Sequence, residues 1–98
     1  MFLFFQGNYP DRDFDKAKWL KNKEKRYEYA RDLIESGILL GKSKSEVLTM
    51  LGKDADTTRT DELGYDIGSK PAVNGVDQSY LVIDFKSGEV VTVSEYQR

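Results

Sequence analysis

The run from Tyr80 to Tyr96 constrains this chain most, because its residues alternate with the period of a strand. Leu81, Ile83 and Phe85 fall on one side of an extended ribbon, and a second ribbon starts at Glu89 after Lys86-Ser87-Gly88. The turn decides which side chains meet. A two-residue loop at Ser87-Gly88 puts Val91 opposite Asp84 and Val93 opposite Val82, so the Leu81 side meets Val90, Thr92 and Ser94. A turn with a bulge at Gly88 shifts the pairing by one: Phe85 faces Glu89, Ile83 faces Val91 and Leu81 faces Val93. Only the second gives one continuous apolar face, and a one-residue slip destroys it. The bulged hairpin is therefore the predicted one, with Gly88 at positive φ; Ile83 opposite Thr92 would refute it.

The second firm signal is a short helix with both ends marked. Ser43 and Glu46 have the spacing of a capping box, Val47, Leu48 and Leu51 share one face, and Gly52 follows where a helix commonly stops in a left-handed turn. Upstream, a helical region over 14–36 carries Trp19, Leu20, Tyr27, Ala30, Leu33 and Ile34. Lys21-Asn22-Lys23 interrupts its periodicity, so a short helix around Trp19 is predicted, then a turn, then a longer helix over 23–35 that ends at Gly37. Ile38-Leu39-Leu40 should be a buried link. Residues 53–61 read as a polar, acidic loop. Leu63, Tyr65 and Ile67 alternate as a third strand over 62–67. Residues 68–78, with Gly68, Pro71 and Gly75, read as a loop of about eleven residues, long for a compact domain.

Helices first and strands last, without alternation, argue an α+β fold: two to three N-terminal helices packed in two layers on a three-stranded antiparallel sheet. Ninety-eight residues make one domain, over 13–98, with a tail over 1–12. Residues 1–7 end in Phe5-Gln6-Gly7 and read as the remnant of a protease-cleavage tag; their five leading apolar residues fall short of the roughly 7–15 of a signal-peptide core. With one sheet face apolar, the other carries Tyr80, Asp84, Ser94 and Tyr96 to solvent or a partner.

Composition narrows the chemistry. The chain has no Cys and no His, which excludes thiol nucleophiles, Ser-His-Asp triads and zinc sites of the Cys/His kind. Asp11, Asp13 and Asp15 open like a calcium loop, but Lys16 and Asn22 stand where that motif needs Gly and Glu, so they read as acids preceding a helix. A net charge of −2 disfavours a nucleic-acid footprint. The charge is uneven: residues 1–49 hold 10 Lys/Arg and 8 Asp/Glu, residues 50–98 hold 5 and 9. Lys16, Lys18, Lys21, Lys23, Lys25 and Arg26 form a basic cluster, read as a solvated helix face with Glu24 and Glu28 in pairing range. Trp19 reads as a core or cap residue. No apolar run approaches the roughly 18 residues of a membrane helix.

The chain also resembles a family. Trp19, Arg26-Tyr27, Asp32-Leu33-Ile34-Glu35-Ser36, Leu40-Gly41-Lys42-Ser43, Glu46-Val47, Leu51-Gly52, Leu63-Gly64-Tyr65 and Tyr80-Leu81-Val82-Ile83-Asp84-Phe85 are similar to small bacterial envelope lipoproteins of the SmpA/OmlA type. These relate to the small lipoprotein of the β-barrel assembly machine and to the repeat unit of β-lactamase inhibitor protein. The likeness covers residues 15–96, and the Gly-Lys-Ser…Glu-Val…Leu-Gly unit is its strongest part. It departs where Lys53-Asp54-Ala55-Asp56 stands in place of an early Pro, and the lipidation Cys of the group is absent from the chain. The resemblance implies two helices on a three-stranded antiparallel sheet, a periplasmic or outer-membrane location through a lipid anchor, and no catalytic residues.

The function expected is a non-catalytic protein-binding or scaffold module of the bacterial envelope, with no cofactor and no metal. Tyr65, Tyr80 and Tyr96 are its candidate contacts, and Pro71, Val73 and Asn74 of the long loop its rim. One alternative is an intracellular regulator or inhibitor that shares only the fold. The other is a carboxylate-dependent hydrolase using acids such as Asp61, Glu62, Asp66, Asp77 and Asp84, although 17 acids in 98 residues make chance pairs common.

Overall fold

A computed structural model describes residues 11–57, 59–72 and 75–97, without the side chains of Ala72, Val76, Asp77 and Gln97. Helix α1 spans Lys16–Lys21, a single 3-10 turn Lys23–Lys25, α2 Tyr27–Glu35 and α3 Lys44–Leu51. Strands β1 (Glu62–Ala72), β2 (Gly75–Lys86) and β3 (Glu89–Gln97) follow. They form one antiparallel sheet in the order β1-β2-β3. The fold is α+β, with the helices N-terminal to the strands.

The helix boundaries follow local chemistry. The Asp15 side chain accepts from Lys18 N and starts α1; the Asn22 side chain accepts from Glu24 N and turns the chain into the 3-10 segment. The interruption at Lys21-Asn22-Lys23 is thus a helix end with a new cap. At α3 the capping box forms in both directions: Glu46 N donates to Ser43 Oγ, and Ser43 N donates to Glu46 Oε1. Gly52 ends α3 at φ 103°, ψ 162°. Its φ is positive as expected, but its ψ is extended, so the chain leaves the helix at once and does not coil into a left-handed turn.

Leu63, Tyr65, Ile67, Leu81, Ile83, Phe85 and Val90 of the sheet share one core with Trp19, Tyr29, Ala30, Leu33, Leu39, Val47 and Leu51 of the helical half. Within the expected link, Leu39 is buried, while Ile38 and Leu40 are exposed.

The hairpin differs from the predicted register. Ser87 (φ 54°) and Gly88 (φ 81°) are both left-handed, and Lys86 pairs with Glu89 across a two-residue turn. Phe85 pairs with Val90 and Asp84 with Thr92, so the bulge lies at Val91, inside β3. Ile83 then faces Val93 and Leu81 faces Glu95. Gly88 has the expected positive φ, and Ile83 does not face Thr92. An apolar face is kept by a tight turn plus a later bulge.

The expected loop over 68–78 is largely strand. A bulge at Ile67 separates the pairs Asp66–Tyr80 and Gly68–Ser79, after which β1 and β2 continue to pair as far as Ala72 and Gly75. Pro71 is tolerated because β1 is an edge strand. The 3-10 turn approaches the sheet just past this bulge. A Cβ on Gly68 would sit 2.2 Å from the Glu24 carbonyl oxygen, so the 3-10 turn rests directly on bare backbone at φ 95°.

Candidate interaction face

One face of the sheet meets the helices; Asp66, Tyr80, Val82, Asp84, Thr92, Ser94 and Tyr96 project from the other. Tyr80 lies directly across from Tyr96, Val82 from Gly64 on one side and Ser94 on the other. Tyr96 is 60% exposed. Beside them the chain between α3 and β1 runs along the outer edge of the sheet. Asp56 N donates to Gly64 O at 2.7 Å and Gly64 N to Asp56 O at 3.1 Å. That bridge raises a wall, and a shallow depression of about 310 Å³ lies behind it. Ala55, Gly64, Val82, Tyr80 and Tyr96 line it together with the carboxylates of Asp54, Asp56, Glu62 and Asp66.

Several carboxylates here have structural duties. Asp66 Oδ1 accepts from Gly68 N at 2.9 Å and from Gln78 Nε2 at 2.7 Å, which fixes the bulge. Asp84 Oδ2 accepts from Thr92 Oγ1 at 2.9 Å. Glu62 lies 3.9 Å from Arg59 Nε. Asp54 Oδ2 accepts from Arg26 Nη1 at 2.9 Å, with Lys23 Nζ at 3.6 Å. Burial pushes the Asp54 carboxyl up, but the Arg26 hydrogen bond and the charges of Arg26 and Lys23 together outweigh it and hold it below the usual value.

Asp54 also belongs to a buried polar knot beneath the face. Arg26, 1% exposed, donates from Nε to the Trp19 carbonyl at 3.0 Å, and its guanidinium carbon lies 4.7 Å from the Trp19 ring centroid. Trp19 Nε1 donates to Leu51 O and Tyr65 Oη to Gly52 O, each at 2.7 Å. Two orphan carbonyls at the end of α3 are thereby satisfied by aromatic side chains from α1 and β1. Burial, and secondarily the Asp54 charge, raise the Tyr65 hydroxyl pKa above its ordinary value, against a smaller opposing effect of Arg26.

The expected site residues therefore separate. Tyr80 and Tyr96 come together on the open face. Tyr65 is placed differently: it is fully buried on the opposite face, where its hydroxyl caps α3. Pro71 is half-buried in β1, toward the far end of the hairpin from the depression, and Val73 and Asn74 lie outside the described residues. Arg26 is corrected too, since the solvated basic face excludes it. Glu28 pairs with Arg12 at 2.9 Å, not with that cluster. Asp54 and Asp56 were missed because loop acids carry no periodic signal. Arg26, next to Tyr27 at the resumption of helical spacing, was the available hint of an inward cation.

A second, larger groove of about 550 Å³ lies between the 3-10 turn and the Ile67 bulge, where Lys23 and Lys25 stand among Glu24, Asp54 and Asp66. Among the described residues, no three acids converge as metal ligands, and no helix is long and apolar enough to cross a membrane. Comparison of the chain with family models, curated proteins and solved structures returned no match.

Proposed function

We propose that this chain is a non-catalytic protein-binding or scaffold module of the bacterial cell envelope, held there in its full-length form by a lipid anchor. In this reading the helices roof one sheet face as one layer, and the sheet offers its other face to a partner. The observation that carries the binding role is the tyrosine pair Tyr80–Tyr96 on a strand face that no helix among the described residues covers, beside a walled depression. Tyrosine on a rigid element supplies contact area at low entropic cost, which is why it concentrates at interfaces. The envelope location rests on the resemblance of the Gly41-Lys42-Ser43…Glu46-Val47…Leu51-Gly52 unit to the SmpA/OmlA group.

The test is photo-crosslinking in cells expressing the full-length gene, with the crosslinker at Ser94 on the open face and a control at Lys16 on α1. A discrete adduct specific to Ser94, in the envelope fraction, supports the reading. Adducts equal at both positions, or a protein that fractionates with the cytosol and takes up no lipid label, would overturn it.

A further inference from the structure

The lining of the depression specifies what it can accept. Its four carboxylates are Asp54, Asp56, Glu62 and Asp66, and among the described residues no lysine or arginine lines it. The nearest cations approach from outside: Arg59 at the rim of Glu62, and Arg26 with Lys23 from the helix side of Asp54. The acids alone would make only a solvated rim. Here they line the same depression as Ala55, Val82, Tyr80 and Tyr96, which add apolar and aromatic surface. A hard cation would need converging oxygens, and these do not converge. The edge of β1 beside the depression is already closed by the Asp56–Gly64 bridge, so an incoming strand cannot extend the sheet there.

We propose that this depression seats an arginine- or lysine-bearing extended segment of a partner protein, laid across the open face with its cationic head between the carboxylates and the two tyrosine rings. This rests on the binding-module reading and names the chemistry of its partner. A guanidinium stacks on a tyrosine face while its edge donates to carboxylates. An aliphatic stem matches the apolar surface at Val82 and Ala55. A segment crossing the sheet leaves the closed edge undisturbed.

The experiment is an NMR titration of ¹⁵N-labelled protein with a synthetic peptide carrying arginine at alternate positions, and with the same peptide carrying glutamate instead. The arginine peptide is expected to shift the amides of Gly64, Tyr80, Val82 and Tyr96, and the glutamate peptide to leave them in place. Tyr96→Ala should weaken binding about fivefold through the lost ring. Tyr96 is the most exposed large hydrophobic side chain described, so that variant keeps its fold. Glu62→Gln should weaken binding as well, and raising salt from about 50 to about 300 mM should weaken it further. Shifts confined to the helical side, equal response to both peptides, or indifference to both substitutions would overturn the proposal. If the arginine peptide fails while the crosslinker at Ser94 still yields a specific adduct, the cationic chemistry is wrong and the binding-module reading stands. If both fail, both fall.

Discussion

Gly68 shows how one missing methyl group sets the relation between helices and sheet. The Glu24 carbonyl occupies the space a side chain would need, and the residue is left-handed as well. Gly68→Ala therefore combines overpacking against backbone with an unfavourable φ, each worth about 1–3 kcal/mol. A loss of about 3 kcal/mol or more is expected in urea unfolding, and a loss below 1 kcal/mol would show that the 3-10 turn can lift away. Asp54 gives a pH signature at the same scale. Its folded-state carboxyl is held below the ordinary value, so the stability it contributes is complete above about pH 4 and is lost as pH falls through its lower folded value. Asp54→Asn should flatten that acid limb. It should also cost about 2–3 kcal/mol at neutral pH, because Arg26 is left buried without its anion. Acid limbs of equal slope in the two proteins would rule this out.

Among the elements, the hairpin is where sequence and structure part most instructively. The alternation of Leu81, Ile83 and Phe85 makes the apolar face legible. The pairing is not legible, because a bulge at Gly88 and a tight turn with a later bulge at Val91 both preserve that face. Tyr65 differs: period two puts it on the same side of β1 as Leu63 and Ile67, and that side is buried, whereas its residue type alone suggests a contact. The capping box at Ser43–Glu46 is readable since it depends on a spacing of three, whereas the close approach at Gly68 depends on the 3-10 turn passing overhead. Ser87 is a further consequence of the turn. It is left-handed without being Gly or Asn, a conformation that costs roughly 1 kcal/mol for most residues. Ser87→Asn should raise stability by about 0.5–1 kcal/mol in thermal unfolding, and a fall would mean that the serine side chain contributes something the turn geometry does not require.

For the whole molecule, order of elements was enough to give the class, α+β with helices before strands. It was not enough to locate the depression, whose wall is a non-periodic segment tethered at Gly64 through Asp56. The chain's charge acquires a place in space only after folding: part of the acidic excess of residues 50–98 gathers around the open face. Lys70, on the helix side of the sheet, pairs with Glu95 of β3 across the intervening Ser79 of β2, so the outer strands are joined by charge at one end. The other end is closed by hydrogen bonds between the 41–42 segment and Val90. Lys70→Met should therefore loosen the far end of the hairpin alone, seen as faster amide exchange near Glu95 with no change near Val90; uniform acceleration would contradict this.

The extra residue at Val91 leaves the last strand with one tolerant place in its length. Shortening the chain there would restore a regular ladder with Val90 still against Phe85 and Thr92 still against Asp84. Every inward side chain would stay inward, and only the added local twist would be surrendered. A residue removed at Ser94 instead would swing Tyr96 toward the helices and empty the open face of half its aromatic pair. Natural variation in the length of this strand should therefore be confined to a single position next to the turn.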